Sequence, residues 1–78
     1  MRIKQEKLVI TFRTTTDAME MERLCRESGA PGRMIPVPRE ISAGCGLSWC
    51  ADSTQRETLL SLCAAAGLEP EGVHLCMV

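Results

Sequence analysis

The chain has 78 residues, 45% of them hydrophobic and 24% charged, with nine Lys and Arg against ten Asp and Glu for a net charge of −1. That length predicts a single domain, residues 1–78, with no room for a separate substrate or regulatory module, which buries only about 60% of its unfolded surface, so that a deep enclosed active site is hard to build. Balanced charge, one Trp, one Phe and no Tyr exclude counterion-release and base-stacking modes of nucleic-acid binding, and no apolar run approaches the about 18 residues of a membrane span.

In chain order, Leu8 to Phe12 is β-branched and aromatic, with Leu8, Ile10 and Phe12 sharing one face at a period of two, which predicts a first strand. Thr14-Thr15-Thr16-Asp17 then offers several N-cap oxygens, and Asp17 with Glu20 has capping-box spacing. The helix that follows carries Ala18, Met21, Cys25 and Ser28 on its apolar stripe, widened by Leu24, and stops at Gly29. A Pro31-Gly32 loop leads into a second strand over Arg33 to Pro38, whose two prolines leave one of its sides without ladder donors. Arg39 to Gly46 reads as a loop and Leu47 to Ala51 as a third strand, with Leu47, Trp49 and Ala51 facing one way and Ser48 and Cys50 the other. Asp52-Ser53-Thr54 supplies a second cap, Thr54 to Glu57 a second capping box, and Leu59, Leu62, Cys63 and Ala66 a second helical stripe ending at Gly67. Leu68 to Gly72 is a turn and Val73 to Val78 the last strand.

Leu24-Cys25 with Gly29 recurs 38 residues later as Leu62-Cys63 with Gly67, and Pro31-Gly32 is echoed by Pro70 and Gly72. Each half is strand, capped helix, glycine stop, strand. The predicted fold is therefore α+β, a two-layer ferredoxin-like sandwich in the order β-α-β-β-α-β, with both helices on one face of a four-stranded antiparallel sheet.

Five cysteines are about 6% of the chain, below the roughly 8 to 10% of a secreted disulfide scaffold, and an odd number cannot pair completely. Reduced thiols and a cytoplasmic location are expected, since the opening MRIKQEKLVITF holds too few apolar residues for a signal peptide. Cys25 and Cys63, on the helix stripes, are expected to pack as small hydrophobes, and Cys76, on the same strand face as His74, as a strand residue. Cys45 differs: it lies in a loop between Gly44 and Gly46, where backbone N–H groups can converge on an anion, and Arg33 and Arg39 upstream favour a thiolate. No metal is expected, because there is no Cys-x-x-Cys, His74 is the sole histidine, and Cys45-x4-Cys50 cannot supply four ligands. Nucleotide, phosphate-loop and serine-nucleophile signatures are absent, so no cofactor is expected, and with no recognisable base beside the thiol a stand-alone enzyme is the less expected reading.

The run Gly32-Arg33-Met34-Ile35-Pro36-Val37-Pro38-Arg39-Glu40-Ile41-Ser42-Ala43-Gly44-Cys45-Gly46-Leu47, together with the Phe12-Arg13-Thr14-Thr15 turn, resembles a small bacterial family of selenium/sulfur carrier protein-like domains. The resemblance covers most of residues 7 to 70. It implies Cys45 as the residue bearing sulfur or selenium, adds Ser42 to Arg33, Arg39, Gly44 and Gly46 as anion-stabilising groups, and makes donor and acceptor proteins the expected partners. Where the family pattern has an arginine a few residues after Cys-Gly-Leu, this chain has Cys50, which adds a second thiol able to resolve an adduct on Cys45. The alternative expectation is a non-enzymatic protein-interaction or ligand-sensing module, in which Cys45 matters only for its small size. A homo-oligomer is expected from the poor donors of strand two and the apolar edge of strand four.

Overall fold

The computed structural model describes residues 5–41 and 46–77. Strand β1 spans Glu6–Thr11, helix α1 Thr15–Ser28, β2 Arg33–Pro36, β3 Leu47–Asp52, a 3₁₀ turn Ser53–Gln55, helix α2 Arg56–Ala66 and β4 Gly72–Met77. The strands form one antiparallel sheet in the order β2-β3-β1-β4, so the two β-α-β halves interlock as the sequence predicts.

Both helices pack on the same sheet face. Leu8, Ile10 and Phe12 are fully buried there with Trp49 and Ala51 against Ala18, Met21, Cys25, Leu59 and Cys63. The echoed cysteines meet near the centre of this layer, where the Cys63 thiol lies 3.4 Å from the Met21 sulfur. Each helix ends in the same way: Gly29 and Gly67 sit at φ 74° and 71°, and the following N–H, of Ala30 or Leu68, donates at 2.9 Å to the carbonyl of Cys25 or Cys63. This is the Schellman arrangement, which needs a left-handed residue and satisfies a carbonyl the helix leaves open. The repeat therefore records one packing solution used twice.

Both helix starts differ from the sequence expectation. The N-cap of α1 is Thr14, whose hydroxyl accepts from Asp17 N–H at 3.1 Å; Asp17 is thus the receiving position of the cap and not its oxygen. Glu20 does not reach back, because Arg23 holds it through Nε and Nη2 at 2.6 and 2.7 Å. The Thr54/Glu57 box does not form either. Asp52 captures Thr54 through both its N–H and its hydroxyl at 3.1 Å, which closes a 3₁₀ turn first, and α2 begins at Arg56 without a side-chain cap. Ser28 and Ala66, expected on the stripes, are exposed at the last turns, whereas Leu68, expected in a turn, closes the core.

Gly32 sets the entry to β2. At φ 123° it adopts backbone that side chains rarely tolerate, and a Cβ there would collide with the Trp49 indole nitrogen and lie 2.8 Å from the Cys50 carbonyl. Trp49 is fixed in turn by donating from Nε1 to the Pro31 carbonyl at 3.3 Å. Gly32→Ala should therefore displace Trp49 from the core and destabilise the protein by about 1–3 kcal/mol. Urea denaturation followed by Trp49 fluorescence reads this as a lower midpoint; an unchanged midpoint would contradict the packing described.

Candidate functional site

The sheet face turned away from the helices carries the remaining chemistry. Because directly paired residues share a face, the registers place Arg33, Cys50, Val9 and His74 in one transverse row and Ile35, Ser48, Thr11 and Gly72 in the next. Lys7 stands between Asp52 and Cys76 in a third row. No helix covers this face, yet Val9 is 0%, Cys50 6% and Cys76 7% exposed, with Thr11 and Ser48 equally buried. The chain after β2 folds back here: Val37, Pro38 and Ile41 are half-buried, and the charge of Glu40 acts on Cys76, which lies on the opposite edge strand. Two backbone bonds shape the segment, Ile41 N–H to Pro38 and Val37 N–H to Gly46, each at 3.0 Å. Gly46, at φ 76°, has open space around it, so glycine is required there by the backbone angle and not by crowding.

Beneath this segment lies a cavity of about 980 Å³. Cys50 belongs to its lining, together with Arg33, Arg39, Lys7 and Asp52, and Ile35, Pro36, Val37 and Pro38 supply an apolar wall. Arg33 and Arg39, predicted as anion-holding groups, are thus brought together around Cys50. Both are exposed, and neither enters an ion pair among the described residues, where the guanidinium pairs are those of Arg23 and Arg26. Ser42, Gly44 and Cys45 lie outside the described residues.

The other thiols are held as neutral, poorly nucleophilic groups. Burial, and then the neighbouring Cys63, push the Cys25 thiol up to about 11; burial also raises that of Cys63. Cys76 is raised by burial first, then by the Glu40 carboxylate and by Cys50. The four described cysteines are free and buried. Cys50 and Cys76 share a face but are separated by β1, roughly 10 Å at the usual strand spacing, beyond the about 7 Å between Cα atoms that a disulfide tolerates. Among the described residues no group of three or more His, Cys, Asp or Glu is placed to hold a metal ion, and no helix is long and apolar enough to cross a membrane.

Compared with known proteins, residues 7–75 match the family described as "Putative Se/S carrier protein-like". The chain belongs to this family. The match runs from β1 into β4 and includes the whole connection between β2 and β3. No curated protein matches the chain, and no solved structure does. The family description names sulfur and selenium carriage, and the residues of this Se/S carrier-like chain that sequence reasoning singled out fall on that connection and the strands beside it. Sequence reasoning did not find the cavity itself. Its signal was present in the two prolines that end β2 early, but the return of the chain over the sheet is a long-range feature that no local spacing encodes.

Proposed function

We propose that this protein carries sulfur or selenium on Cys45 as a persulfide-type adduct, taking the element from a donor protein and giving it to an acceptor. The observation that carries this is the burial of every described cysteine, three of them with thiols shifted away from the thiolate. Cys45 is flanked in the sequence by Gly44 and Gly46, with no bulky neighbour on either side. In loading, the Cys45 thiolate attacks the outer sulfur of a donor persulfide, the donor S–S bond breaks, and the donor cysteine departs as a thiolate, so no external oxidant is consumed. Arg33, Arg39, Ser42 and the N–H groups of Gly44 and Gly46 favour the anion. Cys50 acts as the resolving thiol: its attack on the Cys45 sulfur expels hydrosulfide or hydroselenide and leaves a disulfide, which a cellular dithiol resets. Free thiols of this kind suit the cytoplasm.

Incubation with a cysteine desulfurase and cysteine, followed by intact-mass measurement, should show a gain of one sulfur in the wild type and in Cys76→Ser but none in Cys45→Ser. Retention of the gain in Cys45→Ser would move the carried element to another residue.

An interaction role is favoured by one separate observation. Among the described residues β4 pairs only with β1; it exposes Leu75 and Met77 by 57% and 54%, and has neither a proline nor a lysine, arginine or carboxylate between Gly72 and Met77. The opposite edge, β2, is protected by Arg33 and Pro36. A second copy, with an equally uncharged β4, fits this edge by antiparallel pairing about a two-fold axis. Sedimentation velocity should show dimer growing with concentration in the wild type and lost in Leu75→Lys; a wild type that stays monomeric at high concentration excludes the pairing.

A further inference from the structure

The cavity lined by β2 and the residues that follow it to Arg39 has the charge, length and chemistry of a ligand site for which a small inorganic ion is the wrong size. Its volume of about 980 Å³ lies at the upper end of small-molecule pockets and far above what sulfate needs. Its cations are also spread out. Arg33 opens β2 and Arg39 stands three residues beyond its end, so the two guanidinium groups bracket a wall whose strand alone runs roughly 10 Å. An extended tripeptide covers about the same length.

The remaining lining adds direction. Arg33 and Arg39 enter no ion pair among the described residues, while Lys7 and Asp52 face each other across β1 and β3 and offer one cation and one anion side by side. Ile35, Pro36, Val37 and Pro38 give the ligand body an apolar side, and Cys50, paired directly with Arg33, supplies a thiol. Two free guanidinium groups call for two carboxylates, which they bind by paired charge-assisted hydrogen bonds. The carboxylate of Asp52 beside Lys7 suits an ammonium group. We propose that this cavity binds a tripeptide-sized thiol or persulfide bearing a carboxylate at each end and one amino group, and that Cys50 is the cysteine which exchanges with its sulfur. The thiol in that description rests on the carrier reading; the two carboxylates rest on the cavity alone. In exchange with the disulfide form of such a ligand, the Cys50 thiolate attacks one sulfur, a mixed disulfide forms, and the second ligand molecule leaves as a thiolate, so electrons balance without another reactant.

Glutathione is the probe with this chemistry. Titration of the full chain with reduced glutathione, followed by calorimetry or amide NMR, should show saturable binding that moves resonances of Lys7, Arg33 and Cys50. In the Arg33→Gln/Arg39→Gln variant, whose folding is checked by circular dichroism, affinity should fall at least about tenfold, as expected for loss of charge-assisted bonds. Sulfate and N-acetylcysteine, which cannot span both arginines, should bind at least about tenfold more weakly than glutathione. With glutathione disulfide and Cys45→Ser protein, the mixed disulfide should map to Cys50. Absence of saturable binding, equal affinity for sulfate, equal affinity in the double variant, or a mixed disulfide at another cysteine with Cys50 left free would each overturn the assignment. No sulfur donor is present in these measurements, so they can fail while Cys45 still acquires a persulfide, and the reverse is equally readable.

Discussion

Everything chemically distinctive in this molecule follows from a sheet that has helices on one side only. A four-stranded sheet has two faces, and two helices of 14 and 11 residues cover one of them. The other face is nonetheless occupied by Val9, Cys50 and Cys76, with Ser48 and Thr11 in the row beyond Val9 and Cys50, and leaving such a surface in water forfeits burial worth about 25 cal/mol per Å² of apolar area. The chain after β2 is what folds back there, half-burying Val37, Pro38 and Ile41. The same segment that closes the core is therefore the segment that bears the signature residues of the family. Structure and chemistry are concentrated in one connection.

That dual role explains several choices in the strands. β2 is short because Pro36 and Pro38 cannot donate to a ladder, and ending it at Pro36 releases the chain to cross the sheet. The point of departure is held from below: Gly32 permits the close approach to Trp49, whose indole is tied to the Pro31 carbonyl, so the start of β2 is anchored to β3 on the helix side. Arg33, one residue later, has its register partner Cys50 on the opposite face. Rigid packing on one side thereby positions a guanidinium group and a thiol on the other.

How far the sequence discloses this depends on the range of the interaction. The element order and the shared face of Leu8, Ile10 and Phe12 are legible because periodicity is local, and the matched Leu-Cys and Gly stops at Cys25 and Cys63 are legible because the same helix ending is written twice. The cap positions are less so. Consecutive Thr14, Thr15, Thr16 and Asp17 offer competing oxygens, and the competition is decided by Arg23 taking Glu20 and by Asp52 taking Thr54 before a helical turn can use it. Cys50 reads correctly as lying opposite Trp49 and Ala51, but its burial and its place in a cationic cavity depend on a chain return that lets the charge of Glu40 act on Cys76, and no spacing in the sequence reports that long-range relation. Leu68 completes the core from beyond Gly67 for the same reason: its partners are distant in the chain.

Carriage at Cys45 requires that this thiol be kept reactive while Cys25, Cys63 and Cys76 are kept quiet. Burial accomplishes the second part, raising the thiols of Cys25, Cys63 and Cys76 away from ionisation. The first part is read most directly by alkylating the native protein at neutral pH with limiting iodoacetamide and resolving the modified cysteines by peptide mass spectrometry over time. Cys45 should label first, with Cys25, Cys63 and Cys76 modified only on unfolding; labelling of any of those three as fast as Cys45 would contradict the assignment of the carried element to Cys45.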